Sequence, residues 1–392
     1  MEPYEELISW ATGQGVKLTG IIPKRIPGRG IGLVATRAIK SGEVVLEVPA
    51  SCIRSIDTVP KPLVRQLPKS ISVHGLLAAD LALDRSGRYA AWDAVCPTPA
   101  DFAGMPLVWP PELRAYLPLA ARDLLAKQDA KLARDWAAVA KALAHGQEDL
   151  DEARYRHAWM LVNTRTFYYV NARLQRRCPD DHMCLLPVAD LFNHGDNARE
   201  ECNVAFDRAG FEVTAARRYA RGEELKICYG SHSNDFLLVE YGFAMDGNKW
   251  DEARLDEVLV PQLSAHQREK LDAVGFWERY VLDRETECYR TQVVVRLLCC
   301  GFREWKRFMD GIDDGERSKQ EVAQYMIELL KELRLDAGNM ICQVGALKVG
   351  EPQQRESLAD RWEQIEGLAA MNIARLKEDL NRNPLPRLGR KV

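Results

Sequence analysis

The chain has 392 residues, 46% hydrophobic and 28% charged, with 54 Lys+Arg against 57 Asp+Glu and a formal net charge of −3. That composition holds too many large apolar groups for a disordered chain and too many charges for a membrane protein. The near-balanced charge argues against a dedicated nucleic-acid binder, and the length suits two or three domains.

In chain order, the start from Met1 to Leu7 is acidic and lacks the basic and apolar regions of a secretory signal. Residues 18–72 are rich in Gly, Pro and β-branched side chains. Val44 to Val48 reads as a strand ending at Pro49, after turn chemistry over Lys40 to Glu43. From about 73 to 177 the period becomes helical. Leu124, Leu125, Gln128, Leu132, Trp136, Val139, Ala140 and Leu143 share one spacing. Pro97, Pro99, Pro106, Pro110 and Pro111 divide that zone. From 184 to 246 the pattern returns to strands: Asn203–Phe206 and Phe211–Val213 flank a turn, and Glu224–Tyr229 follows with alternation. From about 250 onward the pattern is helical again. Val322, Tyr325, Met326, Leu329, Leu330 and Leu333 form one apolar stripe, and Leu358, Trp362, Ile365, Leu368 and Leu376 another. The longest apolar run, Val293 to Cys300, is broken by Arg296 and is too short to span a bilayer. The order is not a βαβ alternation, so a doubly wound sheet is not expected. The ten cysteines show no CxxC pair, which points to a reducing compartment and no structural zinc.

Three segments carry candidate chemistry. Read from Gly30, Gly28 to Ala35 fits G-x-G-x-x-A, but the residues after it lead into a strand, not a helix. A glycine-rich turn between strands is the better local reading, with backbone approach to a ligand as the alternative. Pro187 to His194 places a dense polar group, Asp190, Asn193 and His194, after an apolar approach. A satisfied polar pair is the bland reading, and no neighbouring His or Cys completes a metal set. Tyr229-Gly230 and Tyr241-Gly242 are two Tyr-Gly steps twelve residues apart, with Phe243 after the second. Tyrosine in strands ordinarily packs.

Taken together, Gly30 to Glu43, Ala189 to His194, Gly222 to Gly230, Ser233-Asn234 and Tyr241 to Phe243 resemble the SET-domain methyltransferases. The branch they resemble contains the plant Rubisco large-subunit lysine methyltransferase and its animal and fungal relatives. The resemblance implies an α+β protein. Its β-rich SET fold, with a pseudoknot, is split by a helical insert and followed by an all-α C-terminal domain. The expected divisions are 1–72 and 184–247 for the SET halves, 73–183 for the insert and 248–392 for a substrate-binding-like domain. The implied activity is S-adenosylmethionine-dependent protein-lysine N-methylation. Histidine methylation and a non-catalytic scaffold are the alternatives.

By position, the backbone of Arg29, Gly30 and Ile31 would line the cofactor. Asp190, Asn193 and His194 would hold it, and Arg165 would pair with its carboxylate. Tyr229 would be the central catalytic residue and also touch the cofactor. Tyr241 and Phe167 would line the lysine channel, and Phe243 would pack near the cofactor. Arg29 stands where many relatives have an acidic residue. Phe167, Ala189 and Tyr241 differ from a branch relative that methylates histidine in actin, which favours lysine. No zinc-binding cysteine cluster follows Tyr241. The implied partner is a folded protein docked partly on the helical domain, with no membrane or direct nucleic-acid binding. A monomer in the cytoplasm, the nucleus or both is expected.

Overall fold

A computed structural model describes residues 3–144, 150–196 and 201–382. Two compact units are present: Met1–Ala103 with Ala126–Ser231, and Gly104–Leu125 with His232–Val392. The long helix Leu119–Leu143 contributes residues to both.

Among the described residues the first unit contains ten strands: β1 (Lys17–Leu18), β2 (Ile21–Ile26), β3 (Gly30–Ala35), β4 (Val44–Pro49), β5 (Thr166–Tyr168), β6 (Met183–Leu185), β7 (Asn193–His194), β8 (Asn203–Phe206), β9 (Gly210–Thr214) and β10 (Glu224–Ile227). They form a sheet of order β1-β4-β9-β8, a second of order β2-β3-β10-β7, and the pair β5-β6. Strand alternation turns Leu225 and Ile227 of β10 into the core and leaves Glu224 and Lys226 half-buried on the other face. The β8–β9 hairpin matches the sequence reading. Gly210 is required there: a Cβ would lie 2.1 Å from the Val48 carbonyl of β4. The strand read as Glu224–Tyr229 ends at Ile227, where its pairing with β7 ends at His194.

Helices Val73–Leu83 and Glu152–Arg165 pack on each other. Ser72 caps the first, its hydroxyl accepting from Gly75 N–H at 2.8 Å. That hydroxyl also donates to Asp135, which is not among the residues of the apolar period. Asp135 is buried and further accepts from Trp159 Nε1 at 3.2 Å. Gly75 leaves room for this carboxylate, since a Cβ would come within 2.8 Å of Asp135 Cγ. Within the stretch read as a helical insert, Thr166–Tyr168 is a strand, β5, paired with β6.

The second unit is mainly helical. Lys319–Ala346 packs on Pro352–Arg382 along the two predicted stripes, with Met326, Leu330, Leu358 and Ile365 buried. A small antiparallel pair, β11 (Glu252–Arg254) with β12 (Val281–Asp283), sits among the helices. Three-residue strands are too short for alternation to show in the sequence. At the centre of this unit Arg361 is fully buried. Its Nε and Nη2 donate to the two oxygens of Asp235 at 2.8 and 3.2 Å, and Nη1 donates to Asp251 at 2.8 Å. Nη2 also reaches the Glu252 carbonyl at 2.9 Å. Asp251 in turn accepts from Asn234 N–H at 3.0 Å. One guanidinium thus joins the C-terminal helix to the start of helix Asn234–Tyr241 and to β11. Arg361→Ala would strand two buried carboxylates, so folding stability should fall by about 3–5 kcal/mol in urea titrations. Arg361→Lys, which keeps the charge but not the fork, should lose part of that.

Candidate functional site

The site in the first unit is organised by one short pairing. β7 runs parallel to β10, with Asn193 opposite Lys226 and His194 opposite Ile227. This lays the Asn-His segment beside the residues leading to Tyr229. Three consecutive residues then alternate in partner: Phe192 and His194 meet Tyr229, and Asn193 between them meets Glu224. The Phe192 carbonyl accepts the Tyr229 hydroxyl at 2.6 Å. The Asn193 amide donates to Glu224 Oε1 at 2.7 Å. His194 Nδ1 accepts the Tyr229 backbone N–H at 3.1 Å, and the two rings lie 5.0 Å apart. Accepting at Nδ1 makes His194 a neutral imidazole with its proton on Nε2. Extended backbone explains the split, because successive side chains leave a strand on opposite faces.

The approach to β7 is strained. Val188 is fully buried with φ at 70°, a left-handed conformation that β-branched residues rarely adopt. The apolar approach noted in the sequence is thus a forced turn into the polar group, held by its packing.

Arg165 ends the helix Glu152–Arg165, and its Nη1 donates to the Asp190 carbonyl at 2.8 Å and to Asp190 Oδ2 at 3.1 Å. Trp92 Nε1 donates to the same Asp190 oxygen at 2.9 Å. Burial raises the Asp190 pKa, opposed by Arg165 and these hydrogen bonds. In this structure, then, Asp190 holds Arg165 and Trp92. Arg165 Nε is buried and has no hydrogen-bond partner among the described residues. Cys96 lines a small cavity together with Trp92, Arg165 and Asp190, and burial pushes its thiol up to about 12. It is a protonated packing residue rather than a nucleophile.

The glycine-rich segment is the turn joining β2 to β3. Gly28 and Gly30 have φ of 72° and 70°, and Ile26 pairs with Gly30 across the hairpin. The turn reading is therefore right, and it places the backbone of Arg29, Gly30 and Ile31 at the end of the sheet that carries β10 and β7. Arg29 uses its side chain on Glu224, at 2.9 Å. Phe167, on β5, packs edge-on against Phe211 at 5.1 Å. Sequence reasoning missed Glu224. Its position two residues before Lys226, on the same strand face, is the only signal, and it gains meaning once β7 is paired.

Tyr241 and Phe243 belong to the second unit. Their rings are 6.2 Å apart, and they flank Gly242, which ends the helix Asn234–Tyr241 at φ 82°. A Cβ at Gly104 would lie 2.5 Å from the Gly242 carbonyl, so this turn packs on bare backbone. No cluster of His, Cys, Asp or Glu among the described residues could hold a metal ion.

Comparison with known families decides the grouping: the SET domain is matched over residues 30–230. The chain belongs to the SET-domain family. Its residues 253–375 also match the ribosomal lysine N-methyltransferase 2 C-terminal domain. Among SET-domain relatives, the chain is 25% identical to ribosomal lysine N-methyltransferase set11 of Schizosaccharomyces pombe, over 85% of this chain and 88% of that protein. It is 24% identical to mouse SET domain-containing protein 4, over 91% and 87% of the two chains. It shares its fold with a crystal structure of the SET domain of LSMT bound to lysine and AdoHcy, with TM-score 0.60 and 14% identity over 99% of this chain and 97% of that one. The α+β SET fold with a helical C-terminal region is thus the architecture of this protein.

Burial and then the Glu240 carboxylate push the Tyr241 phenol up to about 12. In an unfolded chain it titrates near pH 10. The folded state therefore holds this proton more tightly, and the resulting stability is complete below about pH 10 and lost as pH climbs toward 12. Urea midpoints measured across that window should fall less steeply for Tyr241→Phe than for the wild type.

Proposed function

We propose that this SET-domain protein is an S-adenosylmethionine-dependent protein-lysine N-methyltransferase. The observation that carries the reading is the Tyr229 hydroxyl, donated to the Phe192 carbonyl at 2.6 Å beside β7. The names of its relatives support a ribosomal protein as substrate. The residues fit the cofactor. Arg165 has a buried Nε donor to spare, and arginine is suited to a carboxylate. β7 lies at the edge of its sheet, and edge strands offer backbone donors and acceptors to a ligand.

When bound, S-adenosylmethionine supplies an electrophilic methyl group on a cationic sulfur. The chain's own residues do the rest. Asn193, His194 and the backbone of Arg29 to Ile31 would bind and orient the cofactor, with Arg165 on its carboxylate. Asp190 acts by orienting Arg165. The Tyr229 hydroxyl gives its proton to the Phe192 carbonyl, and in this proposal its oxygen accepts an amine N–H. That orients the amine lone pair for in-line attack. A lysine amine has a pKa near 10.4 in water and must be neutral to react. An apolar wall favours the neutral form. Phe167, backed by Phe211, provides such a wall in the first unit. Alignment then contributes much of the rate. Tyr241 and Phe243 enter this proposal through their family positions alone, as channel wall and cofactor neighbour.

The helical segment 253–375 supports docking of a folded partner, since one lysine offers little specificity. The ten cysteines form no disulfide, which supports a reducing, cytoplasmic setting.

Tritiated-cofactor labelling of fractionated lysate, followed by mapping of the labelled site, tests the reading. Label on a lysine supports it. Label on histidine, or cofactor binding with no transfer to any protein, removes it. Saturating cofactor at one hundred times its Kd should add about 2.7 kcal/mol of stability, seen as a higher Tm. Tyr229→Phe should keep that shift but lower kcat by roughly 100-fold or more.

A further inference from the structure

Glu224 opens β10 and has no part in the site as the sequence and the family place it. Its carboxylate is 11% exposed, which is costly for a charge without partners. Both oxygens are used. Oε2 pairs with Arg29 Nη2 at 2.9 Å, and Oε1 accepts from Asn193 Nδ2 at 2.7 Å. These partners come from the two segments assigned to the cofactor, the β2–β3 turn and β7. β3, which leaves that turn, and β7 lie on either side of β10, and Glu224 of β10 touches both partners. Register explains the reach. Glu224 sits opposite Val34 of β3, while Asn193 sits opposite Lys226, two residues further along β10 on the same face.

The floor beneath is Gly32. A Cβ there would lie 2.7 Å from both Asn193 Nδ2 and Glu224 Oε1. Gly32 has no positive φ to account for it, so close approach by this network is the reason for a glycine. The charge also has a reason. Glu224 sets a carboxylate against the Arg29 guanidinium and neutralises it.

We propose that Glu224 is a positioning residue of the cofactor site, acting through Arg29 and Asn193 and seated on Gly32. It fixes the β2–β3 turn and the Asn193 amide in one geometry before the cofactor arrives. This rests on the proposed S-adenosylmethionine site. A carboxylate that accepts two charge-assisted or amide bonds pre-orders both partners, and that ordering then need not be supplied by the ligand.

The test measures S-adenosylmethionine Kd by calorimetry, KM and kcat by labelling, and apo Tm, on the full chain. Glu224→Leu removes both contacts. It should raise Kd and cofactor KM together by about tenfold or more, while kcat at saturating cofactor changes much less. Glu224→Gln keeps an acceptor for Asn193 but presents a donor to Arg29, and should show a smaller rise. Arg29→Leu should match Glu224→Gln, because each breaks the same half of the network. If Glu224→Leu does not fold, Glu224→Gln and Gly32→Ala carry the measurement, and Gly32→Ala should also weaken binding. Wild-type Kd and KM in the folded variants, even with a lower Tm, would reduce Glu224 to a structural ion pair and overturn the proposal. A wild-type protein that binds no S-adenosylmethionine would overturn the cofactor site itself, and the positioning role with it.

Discussion

The site depends on the parallel pairing of β7 with β10. Only two residues of each strand are in register, Asn193 with Lys226 and His194 with Ile227. Yet this pairing decides what every nearby polar group meets. It brings the Phe192 carbonyl to the Tyr229 hydroxyl, the His194 ring to the Tyr229 amide and the Asn193 amide to Glu224. A parallel pair cannot be closed by a tight turn. Here the chain between the two strands forms the β8–β9 hairpin in the other sheet before returning as β10. The pairing therefore stands only if both sheets form. The strained Val188 is the local cost of entering it, and its complete burial keeps the strain in place.

Three buried charged groups among the described residues are handled in the same way: each is given a pair of partners. Arg361 spans Asp235 and Asp251 in the helical unit. Arg54, also buried, takes Asp80 and Asp84. Asp190 takes Arg165 and Trp92. Such clusters are weak sources of net stability, because desolvation offsets their attraction. What they do is orient. Arg361 sets the start of the helix that ends at Tyr241, and Asp190 sets the guanidinium proposed for the cofactor carboxylate. Specificity of geometry fits an activity in which alignment does much of the work.

Much of the fold was legible. The stripes at Val322–Leu333 and Leu358–Leu376 are buried helix faces, and the 124–143 period lies within one long helix. Long periodic segments repeat their signal many times, so they survive local exceptions. The exceptions were short or polar. β5, β11 and β12 have three residues each, too few for alternation to register. Asp135 fell outside the apolar stripe because its burial is set by Ser72 and Trp159, which are remote in sequence.

For the site, the sequence by itself determined the residue types and their order: the glycine turn, Asp190, Asn193-His194 and Tyr229-Gly230, and hence the family. Tertiary structure alone decided how those residues are used. It turned Arg165 onto Asp190, joined Arg29 and Asn193 through Glu224, and required Gly32 beneath them. The reason is physical. Residue type is a local property that a motif can carry, whereas a hydrogen-bond partner 31 residues away from Asn193 is chosen by strand register, and register is settled only when the whole sheet buries its apolar face.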